Sequence, residues 1–295
     1  MRCDEVRRVS RRAAVMGLLS LLTGACSKLA FVAANVPAAF GSYRRRTDEV
    51  FGPLPAHRLD IYTPEAPAPR PRPLAVFWYG GRWTNGDKED YRFVGAALAS
   101  LGMVAVLPNY RHYPEVKMLG FMADAALAVA WAHAHAGELG ADPQRLFLMG
   151  HSAGAHMAAL VTLDQRYLKA VGPTVPPIAG VIGLSGPYDF LPLTEDDTRD
   201  MFGPPALYEE SQPIHFVHPG APPMLLVHGL GDDTVLPKNS INLAAALEAQ
   251  GVATTLKLYP TLSHADTVAA LSIPARGRAP TLADIAAFVS PPPSS

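Results

Sequence analysis

The residues best equipped for chemistry lie in the stretch 146–154, where Gly150, Ser152 and Gly154 form a G-x-S-x-G pattern. A serine hydroxyl is a poor nucleophile at neutral pH. The chemistry in view is therefore attack by Ser152 with an imidazole to take its proton and a carboxylate to orient that imidazole. Glycines two positions either side remove the Cβ atoms that would collide where a strand turns sharply into a helix. A serine raised on such an elbow stands beside a helix N-terminus and the Ala153 N–H, and both favour a developing oxyanion. The bare pattern is common in small-residue turns. Its placement between an apolar run at 146–149 and an Ala-rich helical run at 153–163 gives it weight.

Downstream of Ser152 stand five histidines: His156, His215, His218, His228 and His264. His156 is four residues into the elbow helix and should point along it rather than at Ser152. His228 closes a strand and reads as a residue that shapes the following loop. His215 and His218 fall in an irregular stretch and are candidates to line a pocket. His264 follows the last strand in a loop free to reach across the strand ends, and a chain order of serine, acid, histidine makes it the expected base. For the acid, Asp232 is the first choice. Asp233 is its neighbour in the same loop and a candidate helix cap, and Asp189, one strand earlier, is the third candidate. A second oxyanion N–H beside that of Ala153 is expected from Gly81 or Arg82, in the run Gly80-Gly81-Arg82-Trp83. His133 and His135 are two apart on a helix and face different ways, which makes a poor metal pair. The carboxylates Glu195, Asp196 and Asp197 read as a solvated loop.

The elements that must position these residues alternate. Strands are expected at 57–63, 74–79, 103–107, 145–149, 178–184, 223–228 and 252–259, and helices at 90–101, 118–136, 153–163, 237–250 and 281–289. Strands separated by helices argue for parallel pairing with right-handed crossovers and helices on both faces of one sheet. Sites in such sheets lie at the carboxyl ends of the strands, where every motif above falls. Residues 26–55 read as a lead-in, with Arg44-Arg45-Arg46 as a solvated loop. Residues 187–222 read as an irregular cap-like excursion over the strand ends, and 56–295 as the main domain.

With 295 residues, 49% hydrophobic and 17% charged, the chain can bury a large core, and a net charge of -1 gives no electrostatic reason to expect nucleic acid. Both cysteines, Cys3 and Cys26, are N-terminal, so no disulfide and no thiolate metal site is expected in the domain. Arg2, Arg7, Arg8, Arg11 and Arg12 precede an apolar run at 13–22 and then Thr23-Gly24-Ala25-Cys26, which reads as an export signal over residues 1–25. The run is too short to span a bilayer comfortably. Leu22-Thr23-Gly24-Ala25-Cys26 resembles a bacterial lipoprotein box with Cys26 as the lipidated first mature residue, ordinary cleavage after Ala25 being the other outcome. The expected location is accordingly periplasmic or membrane-anchored, outside the bacterial cytoplasm.

Taken together, Tyr79-Gly80-Gly81-Arg82-Trp83, Asn109-Tyr110-Arg111, Gly150-His151-Ser152-Ala153-Gly154, Ser185-Gly186-Pro187-Tyr188-Asp189-Phe190, His228-Gly229 with Asp232, and His264 resemble the α/β-hydrolase carboxylesterases. Within these the chain is most similar to the bacterial feruloyl-esterase-like and hormone-sensitive-lipase-like esterases, over residues 57 to 290. The resemblance implies the α/β-hydrolase fold and hydrolysis of a small-molecule carboxylic ester through an acyl-enzyme, without cofactor or metal. By position it implies Ser152 as nucleophile, Asp232 as acid, His264 as base, and Gly81, Arg82 and Ala153 as the oxyanion backbone. Two positions depart from the family pattern: Tyr79, where many relatives have His, and Asn109, where relatives often have Asp. A serine peptidase or amidase on the same fold, and a non-catalytic exported binding protein on a hydrolase scaffold, are the alternative readings.

Overall fold

The computed structural model describes residues 29–172 and 175–290. The export signal read over 1–25, and Cys26, lie outside the described residues. Eight strands form one sheet: β1 Tyr43–Val50, β2 Arg58–Pro64, β3 Arg72–Trp78, β4 Val104–Pro108, β5 Ala141–His151, β6 Ile178–Leu184, β7 Met224–Gly229 and β8 Thr254–Tyr259. Their order across the sheet is β1-β2-β4-β3-β5-β6-β7-β8. β1 and β2 pair antiparallel, as do β2 and β4, and the block from β4 to β8 is parallel throughout.

The helical residues 29–38 (α1) precede α2 Arg92–Ser100, α3 Met118–His135, α4 Ala153–Leu163, α5 Arg166–Val171, α6 Asp196–Met201, α7 Lys238–Ala249, α8 Asp266–Ala269 and α9 Thr281–Val289. Every residue of β4 and β7 is buried. Because successive side chains point to opposite faces, continuous burial means that both faces of the sheet are covered. The chain steps from β3 out to β4 and returns to β5 on the other side of β3. That reversal opens a crevice between the carboxyl ends of β3 and β5, the usual position for a site in such sheets. Trp78 at the end of β3 lies beside Gly150 of β5, so the two loops that matter leave the sheet side by side.

The structure departs from the sequence reading mainly at the edge. Residues 43–50 form strand β1, including Arg44-Arg45-Arg46, which the sequence suggested as a solvated loop. Its sequence, YRRRTDEV, lacks the apolar alternation that marks a strand. What holds it is a buried carboxylate on its neighbour: Asp60 accepts from Arg45 at 2.5 Å, and Lys88 Nζ lies 2.9 Å from both Asp60 and Asp48. The short helix α6 falls in the stretch 187–222 read as irregular, and α5 lies where no element was expected, both being too brief to show a period.

Candidate active site

The elbow is forced by local sterics. Ser152 sits at φ 54° and ψ -122°, a conformation that side chains rarely adopt, and its N–H donates to Leu184 O at 2.9 Å. A Cβ on Gly150 would lie 2.2 Å from the backbone of Gly154, and one on Gly154 would lie 2.0 Å from Trp78 O. The two glycines therefore let strand, helix and the neighbouring loop meet at one point.

His264, in the loop after β8, places Nε2 2.9 Å from Ser152 Oγ and Nδ1 2.8 Å from Asp232 Oδ2. An ionised carboxylate only accepts hydrogen bonds, so Nδ1 carries the proton and Nε2 offers its lone pair to the serine hydroxyl. The other oxygen of Asp232 accepts the N–H groups of Thr234 at 3.0 Å and Val235 at 2.9 Å. Burial alone would raise the Asp232 pKa. Hydrogen bonds from His228, His264 and the Val235 N–H outweigh it, and the carboxyl is held far below the usual carboxylate range. His228 Nε2 faces only acceptors, Val235 O at 2.8 Å and Asp232 Oδ2 at 3.2 Å, so it donates, and Nδ1 accepts a hydrogen bond from the Ser240 hydroxyl at 2.7 Å. Asp233 is exposed, and among the described residues its one side-chain hydrogen bond is from Thr234 Oγ1 at 3.5 Å. Asp189 accepts from Asn242 Nδ2 at 2.6 Å, away from the imidazole.

His151, inside the G-x-S-x-G pattern, plays a part that no spacing announced. Its buried Nε2 donates to the backbone carbonyl of His264 at 3.0 Å, and the two rings lie 4.9 Å apart. Burial first, then the charge on His264, push the His151 pKa down to about 3, so it is neutral. The same carbonyl accepts from Thr267 Oγ1 at 3.2 Å, which contacts Ser185 Oγ at 2.9 Å. Side chains from the ends of β5 and β6 thus fix the backbone of the residue that carries the imidazole.

On the opposite side of Ser152, Gly81, Arg82 and Trp83 have φ of 134°, 53° and 60°. A Cβ on Gly80 would come within 3.0 Å of the Ser152 Cβ, and one on Gly81 within 2.0 Å of Asn85 O. The Gly81 carbonyl turns away to accept from Thr84 and Asn85 N–H groups. The N–H groups of Gly81, Arg82 and Ala153 donate to no acceptor among the described residues. Behind the loop, Tyr79 stacks on Tyr110 with ring centroids 4.7 Å apart, and its hydroxyl meets His112 Nε2 at 3.2 Å. Asn109 binds the 87–88 turn through Lys88 N at 2.8 Å and Asp87 Oδ2 at 3.1 Å. The two departures from the family pattern are therefore both supports of this loop rather than pocket walls.

A cavity of about 420 Å³ opens at Ser152 and Ala153, with apolar walls from Trp83, Phe190, Leu191, Leu193 and Leu236. Trp83 is pinned edge-on by His156 at 5.0 Å and Phe202 at 4.9 Å. His156 is buried and donates Nε2–H to Ser211 O at 2.8 Å, and burial lowers its pKa to about 4. The cap carboxylates are not merely solvated: Arg82 binds Glu195 at 2.5 Å and Asp197 at 3.0 Å, tying α6 to the loop after β3. His215 and His218 do not line the cavity. Each is engaged locally, His215 Nδ1 with Glu209 O and His218 Nδ1 with the Gly220 N–H.

The family model BD-FAE matches residues 59–247. Among curated proteins, the chain is 28% identical to a probable isoprenylcysteine alpha-carbonyl methylesterase of Arabidopsis thaliana, over 81% of this chain and 54% of that protein. It is 28% identical to the esterase LipQ of Mycobacterium tuberculosis, over 80% of this chain and 61% of that protein. The chain thus spans only a little more than half the length of the curated relatives it matches. Esterase 2 of Thermogutta terrifontis, solved with propionate bound, superposes with a TM-score of 0.70 at 26% identity, covering 83% of this chain and 93% of that one. The same esterase, phosphonylated by sarin, gives a TM-score of 0.72 at 26% identity and the same coverage.

Proposed function

The chain belongs to the BD-FAE family, and from that membership we propose that it is a serine esterase hydrolysing small carboxylic esters through an acyl-enzyme. One observation carries the reading: the unbroken hydrogen-bonded chain from Ser152 Oγ through His264 to Asp232. His264 Nε2 takes the Ser152 proton as Oγ attacks the ester carbonyl. The Asp232 carboxylate keeps the imidazole in the required tautomer and stabilises the imidazolium that forms. The free N–H groups of Gly81, Arg82 and Ala153 receive the oxyanion, and a fixed set of such donors costs no reorganisation as charge develops. His264 then protonates the leaving alcohol, and water repeats the sequence on the acyl-enzyme. The apolar cavity beside Ser152 takes the acyl group.

Ser152→Ala is expected to abolish turnover of p-nitrophenyl acetate while leaving the thermal unfolding transition in place. A fluorophosphonate should add its mass at Ser152 in the wild-type chain. Turnover by the alanine variant within tenfold of wild type, or a chain that takes up no fluorophosphonate, overturns the proposal.

Residues 1–25 direct export and Cys26 is acylated as the first mature residue. This reading rests on the basic, apolar and small-residue order of the N-terminus. Its test is labelled-palmitate incorporation into wild type against Cys26→Ser, equal labelling of the two being the refuting result.

A further inference from the structure

Helix α1 inverts the patterning of an ordinary surface helix. Its one polar residue, Asn35, points inward: Nδ2 donates to Asp90 O at 2.9 Å and Glu89 O at 3.2 Å, and Oδ1 accepts the Phe93 N–H at 3.0 Å. Phe31 packs on Tyr91 at 5.1 Å, and Ala38 is buried. Outward, the helix and the turn after it present Leu29, Val32, Val36 and Phe40, exposed by 69%, 57%, 56% and 85%. The residues exposed between them are alanines, and no polar side chain interrupts this face. The spacing is one helical stripe. A soluble surface helix turns its polar residues to water and its apolar stripe to the core. This one is tethered by its amide and leaves the stripe outside, the arrangement of a face that meets a second apolar phase.

We propose that this face lies in the interfacial layer of a lipid bilayer, with α1 parallel to the membrane plane. The occupant follows from the chain ahead of the helix. Cys26, the residue read as the lipid attachment, precedes Leu29 by three positions. At about 3.5 Å per residue, three residues of chain reach at most roughly 11 Å. A lipid attached at Cys26 would hold this end of the chain against the bilayer, so the apolar stripe three residues further on would meet lipid before any other apolar surface. Contact is apolar rather than electrostatic, since Arg45 is paired with Asp60 and Arg46 with Glu49, leaving Arg44 without an ion pair among the described residues. No helix of the described residues is long and apolar enough to cross a membrane, so α1 lies on the bilayer. The choice of occupant rests on the export and acylation reading above, and the inference uses none of the esterase residues.

The test is flotation of the mature chain, residues 26–295 as read above, with vesicles of phosphatidylethanolamine and phosphatidylglycerol, on a Cys26→Ser background that removes any acyl anchor. This chain is expected to float with the vesicles and to stay bound in 0.5 M salt. Adding Val32→Asn, Val36→Asn and Phe40→Asn is expected to lower the bound fraction at least about tenfold, since burying even one such side chain is worth that much. Turnover of p-nitrophenyl acetate should not change, which reports that the domain is folded. The inference is overturned if the Cys26→Ser chain does not float, if the triple variant floats equally, or if salt releases the chain. It is also overturned if the Cys26→Ser chain forms a dimer that the triple variant dissolves, because the face would then belong to a second copy. Failure of palmitate labelling alone would remove the acylation reading and the argument it lends to the occupant, and flotation of the Cys26→Ser chain then decides this inference by itself.

Discussion

Asp232→Asn separates the orienting role of the acid from its bulk. The amide is nearly isosteric, and its oxygen can still accept the Thr234 and Val235 N–H groups that hold the present Oδ1. The amide NH2 then faces His264 Nδ1, where Oδ2 now stands at 2.8 Å, and also His228 Nε2, at 3.2 Å. Two donors cannot share that space, so the imidazole must turn its Nδ1 lone pair toward the amide and carry its proton on Nε2. An Nε2–H facing Ser152 Oγ at 2.9 Å cannot accept the serine proton. The imidazolium of the transition state also loses its neighbouring negative charge. A tautomer error of this kind lowers kcat by about a thousand- to ten-thousandfold, or roughly 4–5.5 kcal/mol of transition-state stabilisation. KM should move little, because Asp232 does not line the cavity at Ser152. Steady-state kinetics on p-nitrophenyl butyrate measures both constants, with Asp233→Asn as the control expected to match wild type. A kcat for Asp232→Asn within tenfold of wild type would refute the reasoning. So would a loss in the Asp233→Asn control equal to that of Asp232→Asn.

Other outcomes follow from the same geometry. His151→Phe removes one of the two donors to the His264 carbonyl and should lower kcat about three- to tenfold, the worth of one hydrogen bond. His151→Gln, which keeps a donor, should recover part of that in the same assay. Gly150→Ala sets a Cβ 2.2 Å from the Gly154 backbone, and the mismatch is with main chain rather than a movable side chain. It should lower the urea midpoint by an amount equal to about 3 kcal/mol or more, and a midpoint like wild type would contradict the elbow geometry. In acid, Asp232 and Asp124 set the trend. Both are held below their ordinary values despite burial, Asp124 by hydrogen bonds from Arg111 and His57. Depressed carboxylates stabilise the fold above their unfolded pKa of about 3.9 and lose that contribution as pH falls toward the folded values. The melting temperature should therefore drop steeply below about pH 4, and Asp124→Asn should flatten that drop in a pH series of thermal melts.

Much of the site was legible because its chemistry is encoded locally. The elbow is a matter of a few consecutive dihedral angles and of Cβ atoms that must be absent, and both are written in G-x-S-x-G. The oxyanion turn is of the same kind, its glycine pair preceding backbone at positive φ. The parallel strands showed themselves as short, doubly apolar runs. Strand β1 did not, because a polar edge strand held by the buried Asp60 has no pattern of its own.

From sequence alone came the identity of the candidate reacting groups, the order in which they occur and the sheet edge where they should meet. Folding decided which candidates touch. Ser152 and His264 are 112 positions apart, and Asp232 is 32 from His264, so their contacts depend on where three separate loops leave the sheet. The choice of Asp232 over its neighbour turns on side-chain direction. Asp232 is buried toward the imidazole and Asp233 is exposed, and only the backbone path of the loop decides which is which. The hold of His151 and Thr267 on the His264 carbonyl is likewise a meeting of distant backbone and side chain, which no local spacing records.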